Sequence, residues 1–202
     1  MDKTLFRITG FLYLTVPALI VLQVALYTSL STVSLINDIA LLLIGVIGIT
    51  TQYGVYRLGV NYHNRIIAVS SILMLILIIV SLPLHYLIPE SLHNAPHNTI
   101  FWIYILELIA INLLNIVRCN AFYGLTREFG KLAWWTANAG ILISILVIAL
   151  LVFNEVLAVN LMNPLIALLF LLGGAAGVVS MFIAFIAVGR LFLRAAKDAP
   201  IL

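Results

Sequence analysis

Charged residues are scarce in this sequence: only 8% of its 202 residues are Asp, Glu, Lys or Arg, whereas 64% are hydrophobic. A soluble domain carries roughly 25% charged residues, so this chain has too few to cover a surface in water. The scarcity excludes a soluble globular class and indicates lipid as the solvent. The net charge is only +3, and no basic run is long enough to follow phosphates, so nucleic acid is not an expected partner.

Cysteine is also nearly absent, because the chain has only Cys119. One thiol cannot form a disulfide within the chain or supply a cluster of thiolates for zinc or iron–sulfur. A serine–histidine–acid set is not evident either, since Ser81 and His85 lie near a predicted membrane end without an acid at that depth. We therefore expect a protein that is not an enzyme and that has no cofactor.

Long apolar runs are what the sequence has in abundance. A helical span needs about 20 mostly apolar residues, and the alternation typical of barrel strands is missing. Six stretches qualify: 11–30, about 35–53, 66–87, 100–117, 132–153 and 164 to about 193. The predicted fold is an all-α polytopic membrane protein with six transmembrane helices and short loops.

The distribution of basic residues predicts the orientation of these spans. All ten Lys and Arg residues fall on the two termini and on the second and fourth loops, whereas the first, third and fifth loops carry only acids. Cytoplasmic loops are enriched in Lys and Arg, so we expect both termini in the cytoplasm. The predicted location is the plasma membrane, with multiple passes.

Residues 1–202 are expected to form one domain, because no linker or low-complexity segment divides them. A weak repeat is visible, in which Leu58, Leu125 and Leu191 follow one another at intervals of 67 and 66 residues (125 − 58; 191 − 125). One interpretation is a set of three helix hairpins: 1–63, 64–130 and 131–202. The other is that any six-span protein with short loops gives such a spacing.

Three of the four histidines, His85, His93 and His97, lie close together around the third loop. With Glu90 they would supply enough ligands for a surface metal ion. Pro96 disfavours a helix through the last two histidines, so a polar turn is the simpler interpretation. A haem held by His85 and a loop histidine is a further, weaker alternative.

The fourth span carries a polar stripe. Glu107 is the one acid deep in a span, Arg118 follows it by eleven residues and is almost in phase on a helix, and Asn112 and Asn115 lie between them. Intramembrane acids are expensive and often functional. One hypothesis is therefore a proton or cation relay that uses Glu107.

The second hypothesis for the stripe is an interhelix clamp. Its acid and amides would hydrogen-bond to Gln23, to Asn138 or to a partner subunit. Arg118 lies at the predicted membrane boundary, where we expect it to extend toward lipid phosphate.

Small residues predict close helix packing in two spans. Gly173 and Gly177 have the G-x-x-x-G spacing that lets helix backbones approach closely, and Gly45 and Gly48 give the second span a similar face. This pattern indicates packing within the bundle or against another subunit.

The segment "FYGLTREFGKLAWWTANAGILISILVIALL" and the closing "GGAAGVVSMFIAFIAVGRLFLRAAK" carry a recurring arrangement of residues. Leu125 and Gly130 precede an aromatic at Trp134 or Trp135, and an Ala-Gly pair ends at Gly140 before a long apolar run. The arrangement resembles a family of archaeal multi-pass membrane proteins of unknown function. The resemblance covers roughly the last 85 residues, and it implies an archaeal plasma membrane but no reaction.

Minimal loops, no reactive set and small-residue faces favour a non-catalytic membrane subunit. We expect it to pack within or against a larger membrane complex, with a respiratory complex as one candidate, and to have the lipid bilayer and other membrane subunits as partners. The alternatives are a small proton-coupled transporter or permease that uses Glu107, and a haem-binding electron carrier that uses His85.

Overall fold

A computed structural model of the protein describes residues 2–29, 34–87, 99–153 and 164–198. These residues form helices, and none of them lies in a β-strand. The helices are α1 (Asp2–Ser29), α2 (Ser34–Asn61), α3 (Arg65–Leu87), α4 (Thr99–Ala121), the short α5 (Thr126–Phe129), α6 (Lys131–Leu151) and α7 (Pro164–Asp198), and a 3₁₀ turn (Phe122–Leu125) joins α4 to α5. The all-α class predicted from the sequence is confirmed.

Three helical segments of the described chain are long and apolar enough to cross a membrane: Ile105–Phe129, Lys131–Leu151 and Leu171–Asp198. They indicate a membrane protein with transmembrane helices. A shorter apolar helix covers Arg65–Val80. The first three predicted spans extend into 20–42 and 81–87, where most side chains lie outside the described part.

The six long helices pack in a closed ring. Each of them contacts the next long helix along the chain, and α7 completes the ring by packing along α1. The contacts of α7 with α1 and with α6, and of α2 with α3, are the most extensive. A ring of this kind leaves room between the helices, where the candidate site is found.

The buried core of the described residues lies at one end of this ring. The start of α1, the α2–α3 turn, the segment 122–130 and the end of α7 meet there, and we call this the basic end. Its core includes Phe6, Leu58, Phe122, Phe129 and Phe192, each at most 2% exposed. Phe6 and Phe192 hold α1 against α7, with ring centroids 5.7 Å apart. All ten Lys and Arg residues belong to the segments that meet at or near this end.

Asn64 organises the turn between α2 and α3. Its side-chain oxygen accepts a hydrogen bond from the Ile67 N–H at 3.2 Å, which caps the start of α3. Its Nδ2 donates to the backbone oxygen of Ala121 at 3.0 Å, which ties the same turn to the end of α4. The preceding residue, His63, has a φ of 53°, in the left-handed region that closes the turn. Gly130, with a φ of 59°, separates α5 from α6 in a comparable way.

A close crossing of two helices occurs between Gly10 on α1 and Gly189 on α7. A Cβ atom on Gly10 would lie 2.9 Å from the Gly189 oxygen, and one on Gly189 would lie 3.0 Å from the Gly10 oxygen. Real Cβ atoms rarely come so near, so this crossing requires glycine on both helices. It brings the two ends of the chain together at the basic end.

An ion pair also joins α1 to α2 at the basic end. Arg57 binds Asp2 with two nitrogens, Nε at 3.1 Å and Nη2 at 2.8 Å from the same carboxylate oxygen, and Asn61 donates to the other oxygen at 3.1 Å. The hydrogen bond from Arg57 is the main cause that lowers the pKa of Asp2 below its ordinary value of 3.8.

Candidate functional site

The polar stripe predicted on the fourth span lies on α4, which is helical from Thr99 to Ala121 without interruption. Glu107 and Arg118 are therefore separated by about 16 Å along the helix and lie on nearly the same side of it. Both side chains are half-buried. The stripe thus runs from the middle of the helix toward the basic end.

Arg118 points into the ring and does not extend toward lipid phosphate, which corrects the expectation from the sequence. Its Nη1 donates to the Gln52 side-chain oxygen on α2, and its Nη2 donates to the Asn115 side-chain oxygen one turn earlier on α4. Gln52 is only 8% exposed. The guanidinium turns inward because these two amide oxygens satisfy part of its hydrogen-bonding capacity inside the bundle.

Asn115 carries the network from α4 to α6. Its Nδ2 donates to Ser144 Oγ at 2.9 Å, and Ser144 is completely buried. The Cys119 thiol lies 3.7 Å from the Asn115 oxygen. A Cβ atom on Gly140 would overlap the Cys119 sulfur, so the glycine allows α4 and α6 to approach. One chain of side chains, Gln52, Arg118, Asn115 and Ser144, thereby joins three helices.

Two other members of the predicted clamp, Asn112 and Asn138, are placed differently. Asn112 donates to the backbone oxygen of Leu108, and Asn138 donates to that of Trp134, so each turns back onto its own helix. The side chain of Gln23 lies outside the described part. Among the described residues, the Glu107 carboxylate has no hydrogen bond and no ion pair. Whether Glu107 serves a relay or a clamp with another subunit stays a prediction.

A cavity of ≈ 240 Å³ lies beside Arg118, among residues of α1, α2, α4, the 3₁₀ turn, α6 and α7. Its apolar lining includes the rings of Tyr13, Phe122 and Phe185. Its polar lining includes Asn115, Arg118 and Thr136. The hydroxyl of Thr136 is buried and has no hydrogen-bond partner among the described residues. The site therefore combines an apolar space with one cationic group and one unsatisfied hydroxyl.

The predicted histidine site lies largely outside the described part of the chain. His93 and His97 are both outside it, as is Glu90, and His85 lies near the end of α3 with its side chain undescribed. Among the described residues, no group of three or more His, Cys, Asp or Glu side chains is arranged to hold a metal ion. The metal and haem interpretations of these histidines stay predictions.

The predicted packing glycines have different surroundings. A Cβ atom on Gly48 would make an ordinary contact with Ile78 Cδ1 on α3 at 3.8 Å, and Gly45 is buried. A Cβ atom on Gly177 would contact Leu146 at 3.8 Å, whereas one on Gly173 would meet nothing within 4 Å. The face of α7 around Gly173 is thus open within the described chain.

Sequence reasoning did not single out Gln52, Ser144 or Thr136 as parts of this site. Each is a small or neutral polar residue near or within a predicted span, and such residues commonly bond to their own helix backbone. The signal that distinguishes them is burial: Ser144 is 0% and Thr136 2% exposed. The burial of a residue can be known only once the positions of the neighbouring helices are known.

No known protein family, curated protein or solved structure matches this chain.

Proposed function

We propose that all six long helices cross the membrane, with both termini and the basic end in the cytoplasm. The observation that supports this is the arrangement of the basic end, where segments distant in sequence and rich in Lys and Arg pack together. Moving so many cations across a bilayer is unfavourable, and the positive side of a membrane protein faces the cytoplasm.

Single cysteines test this topology. In a Cys119→Ser background, Arg127→Cys and Lys197→Cys are introduced at exposed positions of the basic end. A membrane-impermeant maleimide should label neither cysteine in sealed cells and both of them after permeabilisation. Labelling of either cysteine from outside would reverse or break the proposed layout.

Within this topology, the function proposed is that of a non-catalytic membrane subunit that docks on another membrane chain, in keeping with the resemblance to archaeal multi-pass membrane proteins. The observation that carries this proposal is the outer half of α7. Leu171 and Val179 are 68% and 58% exposed there, with small residues between them, and Gly173 and Gly174 have no neighbouring atom where a Cβ would lie. A shallow apolar face of glycine and alanine offers lipid little contact but allows another helix to approach closely.

The test is co-purification from native membranes in mild detergent. Gly173→Leu fills the proposed docking face and should remove a comigrating chain. Ala175→Leu is the matched control, because residue 175 lies on the opposite side of the helix and is exposed. A wild-type chain that always migrates alone, or loss of the partner in the control only, would refute the docking role.

A small proton-coupled transporter is the second candidate, and Glu107 is the observation that favours it. A half-buried carboxylate in the middle of a helix, without a partner among the described residues, can take up and release a proton. Glu107→Gln should then abolish a proton-coupled flux in vesicles and leave thermal stability unchanged. Loss of stability or of assembly in this variant, with no flux to lose, would support the clamp instead.

A further inference from the structure

The cavity beside Arg118 carries a positive charge that has no counterion in the described part of the chain. The two groups that accept hydrogen bonds from its guanidinium, Gln52 and Asn115, are neutral amides. No described carboxylate lies within ion-pair distance of Arg118, since the described ion pairs are Arg57–Asp2 and Arg194–Asp198. A half-buried cation in apolar surroundings is strongly stabilised by an anion.

The guanidinium of Arg118 also retains N–H donors that can bind an anion. Arginine has about five N–H donors in a planar fork, and only two of its nitrogens, Nη1 and Nη2, donate to described oxygen acceptors. The remaining donors suit an oxyanion such as a carboxylate, which the fork can bind with two oxygens.

Thr136 provides a second and independent indication of a ligand. It lines the same cavity from α6, it is 2% exposed, and its hydroxyl has no hydrogen-bond partner in the described part of the chain. Burying a hydroxyl without a hydrogen bond is unfavourable, and native structures seldom leave such groups unsatisfied. The oxygen itself is closed off from the cavity, so a polar atom of a bound molecule would satisfy it only after the Thr136 side chain rotates toward the cavity.

The remaining lining sets the shape and size of that molecule. Tyr13, Phe122 and Phe185 provide aromatic surfaces for an alkyl chain or a ring. An apolar cavity of about 150 Å³ accommodates benzene, so ≈ 240 Å³ has room for about ten non-hydrogen atoms. A whole phospholipid is far larger, whereas a medium-chain or aromatic acid fits.

We propose that this cavity binds a small carboxylate with an apolar body, whose oxygens bind the Arg118 guanidinium and whose chain or ring packs against Tyr13, Phe122 and Phe185. By rotating toward the cavity, the Thr136 hydroxyl gains a hydrogen bond to the bound acid. This binding site is independent of the docking role proposed for α7.

The test measures binding of radiolabelled octanoate to the wild-type protein in nanodiscs of zwitterionic lipid at neutral pH. We expect saturable binding of one octanoate per chain, in excess of that to empty nanodiscs. Octanol, which has the same chain but no charge, should compete at least tenfold less well.

Two variants locate the bound acid. Arg118→Gln should weaken octanoate binding at least tenfold, because it removes the cation and its fork. Thr136→Val removes only the unsatisfied hydroxyl, so it should weaken binding about threefold or more while leaving the melting temperature unchanged or higher. The second variant keeps the test valid if the first fails to fold. Arg127→Gln, an exposed arginine of the basic end, is the matched control and should bind as wild type does.

Three results would overturn the proposal. The first is no saturable binding to the wild-type protein, and the second is equal competition by octanol and octanoate. The third is a co-purifying phospholipid, detected by native mass spectrometry, that Arg118→Gln releases and octanoate does not displace, because the anion would then belong to a lipid.

Discussion

Asn64 makes two hydrogen bonds of different kinds, and two substitutions separate them. Its Oδ1 caps α3 through the Ile67 N–H, and its Nδ2 reaches the Ala121 carbonyl at the end of α4. Asn64→Ser retains an oxygen that can cap the helix but cannot reach α4. Asn64→Ala loses both hydrogen bonds. The pair of variants therefore measures the cap and the interhelix bond in turn.

The magnitudes follow from these two bonds. Loss of an N-cap typically reduces stability by about 1 kcal/mol, and loss of a hydrogen bond by a further ~1 kcal/mol. For a chain of this size, 1 kcal/mol corresponds to about 2–4 °C in the melting temperature. We expect Asn64→Ser to lower the melting temperature by about 2–4 °C and Asn64→Ala by about 4–8 °C.

Thermal unfolding in one detergent, followed by circular dichroism at a fixed scan rate, provides the measurement. Asn138→Ala is a suitable control, because among the described residues Asn138 bonds only to the backbone of its own helix, at Trp134. Equal melting temperatures for wild type and Asn64→Ala would refute the role assigned to this turn. Equal losses in Asn64→Ser and Asn64→Ala would show that the cap contributes nothing.

Three further predictions concern the same end of the bundle. Asp2→Asn should lower stability by about 0.5–1 kcal/mol at neutral pH. Because the pKa of Asp2 in the folded protein lies below 3.8, the ion pair stabilises the fold above pH 3.8, and this stabilisation is lost as the pH falls through the folded pKa. The melting curves of wild type and variant should therefore converge at acidic pH. His63→Gly should raise the melting temperature by up to about 4 °C, because the strain of a side chain at a left-handed φ of 53° exceeds the extra entropy that glycine loses on folding. A clear fall in the melting temperature would contradict this. Gly189→Ala should destabilise by about 1–3 kcal/mol because its Cβ would lie 2.7 Å from Leu14 Cγ, whereas Gly173→Ala, with no neighbour within 4 Å, should be neutral or stabilising in the same melts.

The helices were predictable because apolar runs of about 20 residues have few other solutions in lipid. The ends of the helices were harder to predict. The first apolar stretch was predicted from residue 11, but α1 begins at Asp2, and α2 continues past 53 to Asn61. Hydropathy identifies the part of a helix that is suited to the hydrocarbon core of a bilayer. These extra turns are held by packing of Phe6 and Leu58 in the core of the basic end.

The contacts between helices could not be predicted in the same way. Gly173 and Gly177 have the spacing associated with close packing, yet the nearest described neighbour of a Cβ atom on Gly177 would be at 3.8 Å, whereas one on Gly10 would lie 2.9 Å from the Gly189 oxygen. A glycine in an apolar helix permits an approach but does not specify the helix that makes it. That choice depends on which residues, such as Phe6 and Phe192, bury one another across the crossing.

Arg118 shows how position in the ring changes the chemistry of a residue. By sequence alone it lies at a membrane boundary, where an arginine has access to phosphate and water. The ring places Gln52 on one side of it and an apolar cavity on another, so the guanidinium lies inside the bundle with neutral acceptors. A charge that had only to anchor a helix would be satisfied more simply at the surface, as the exposed Arg127 and Arg194 are. Because the neutral amides of Gln52 and Asn115 supply no counter-charge to this half-buried cation, the anion proposed for the cavity would supply the missing charge.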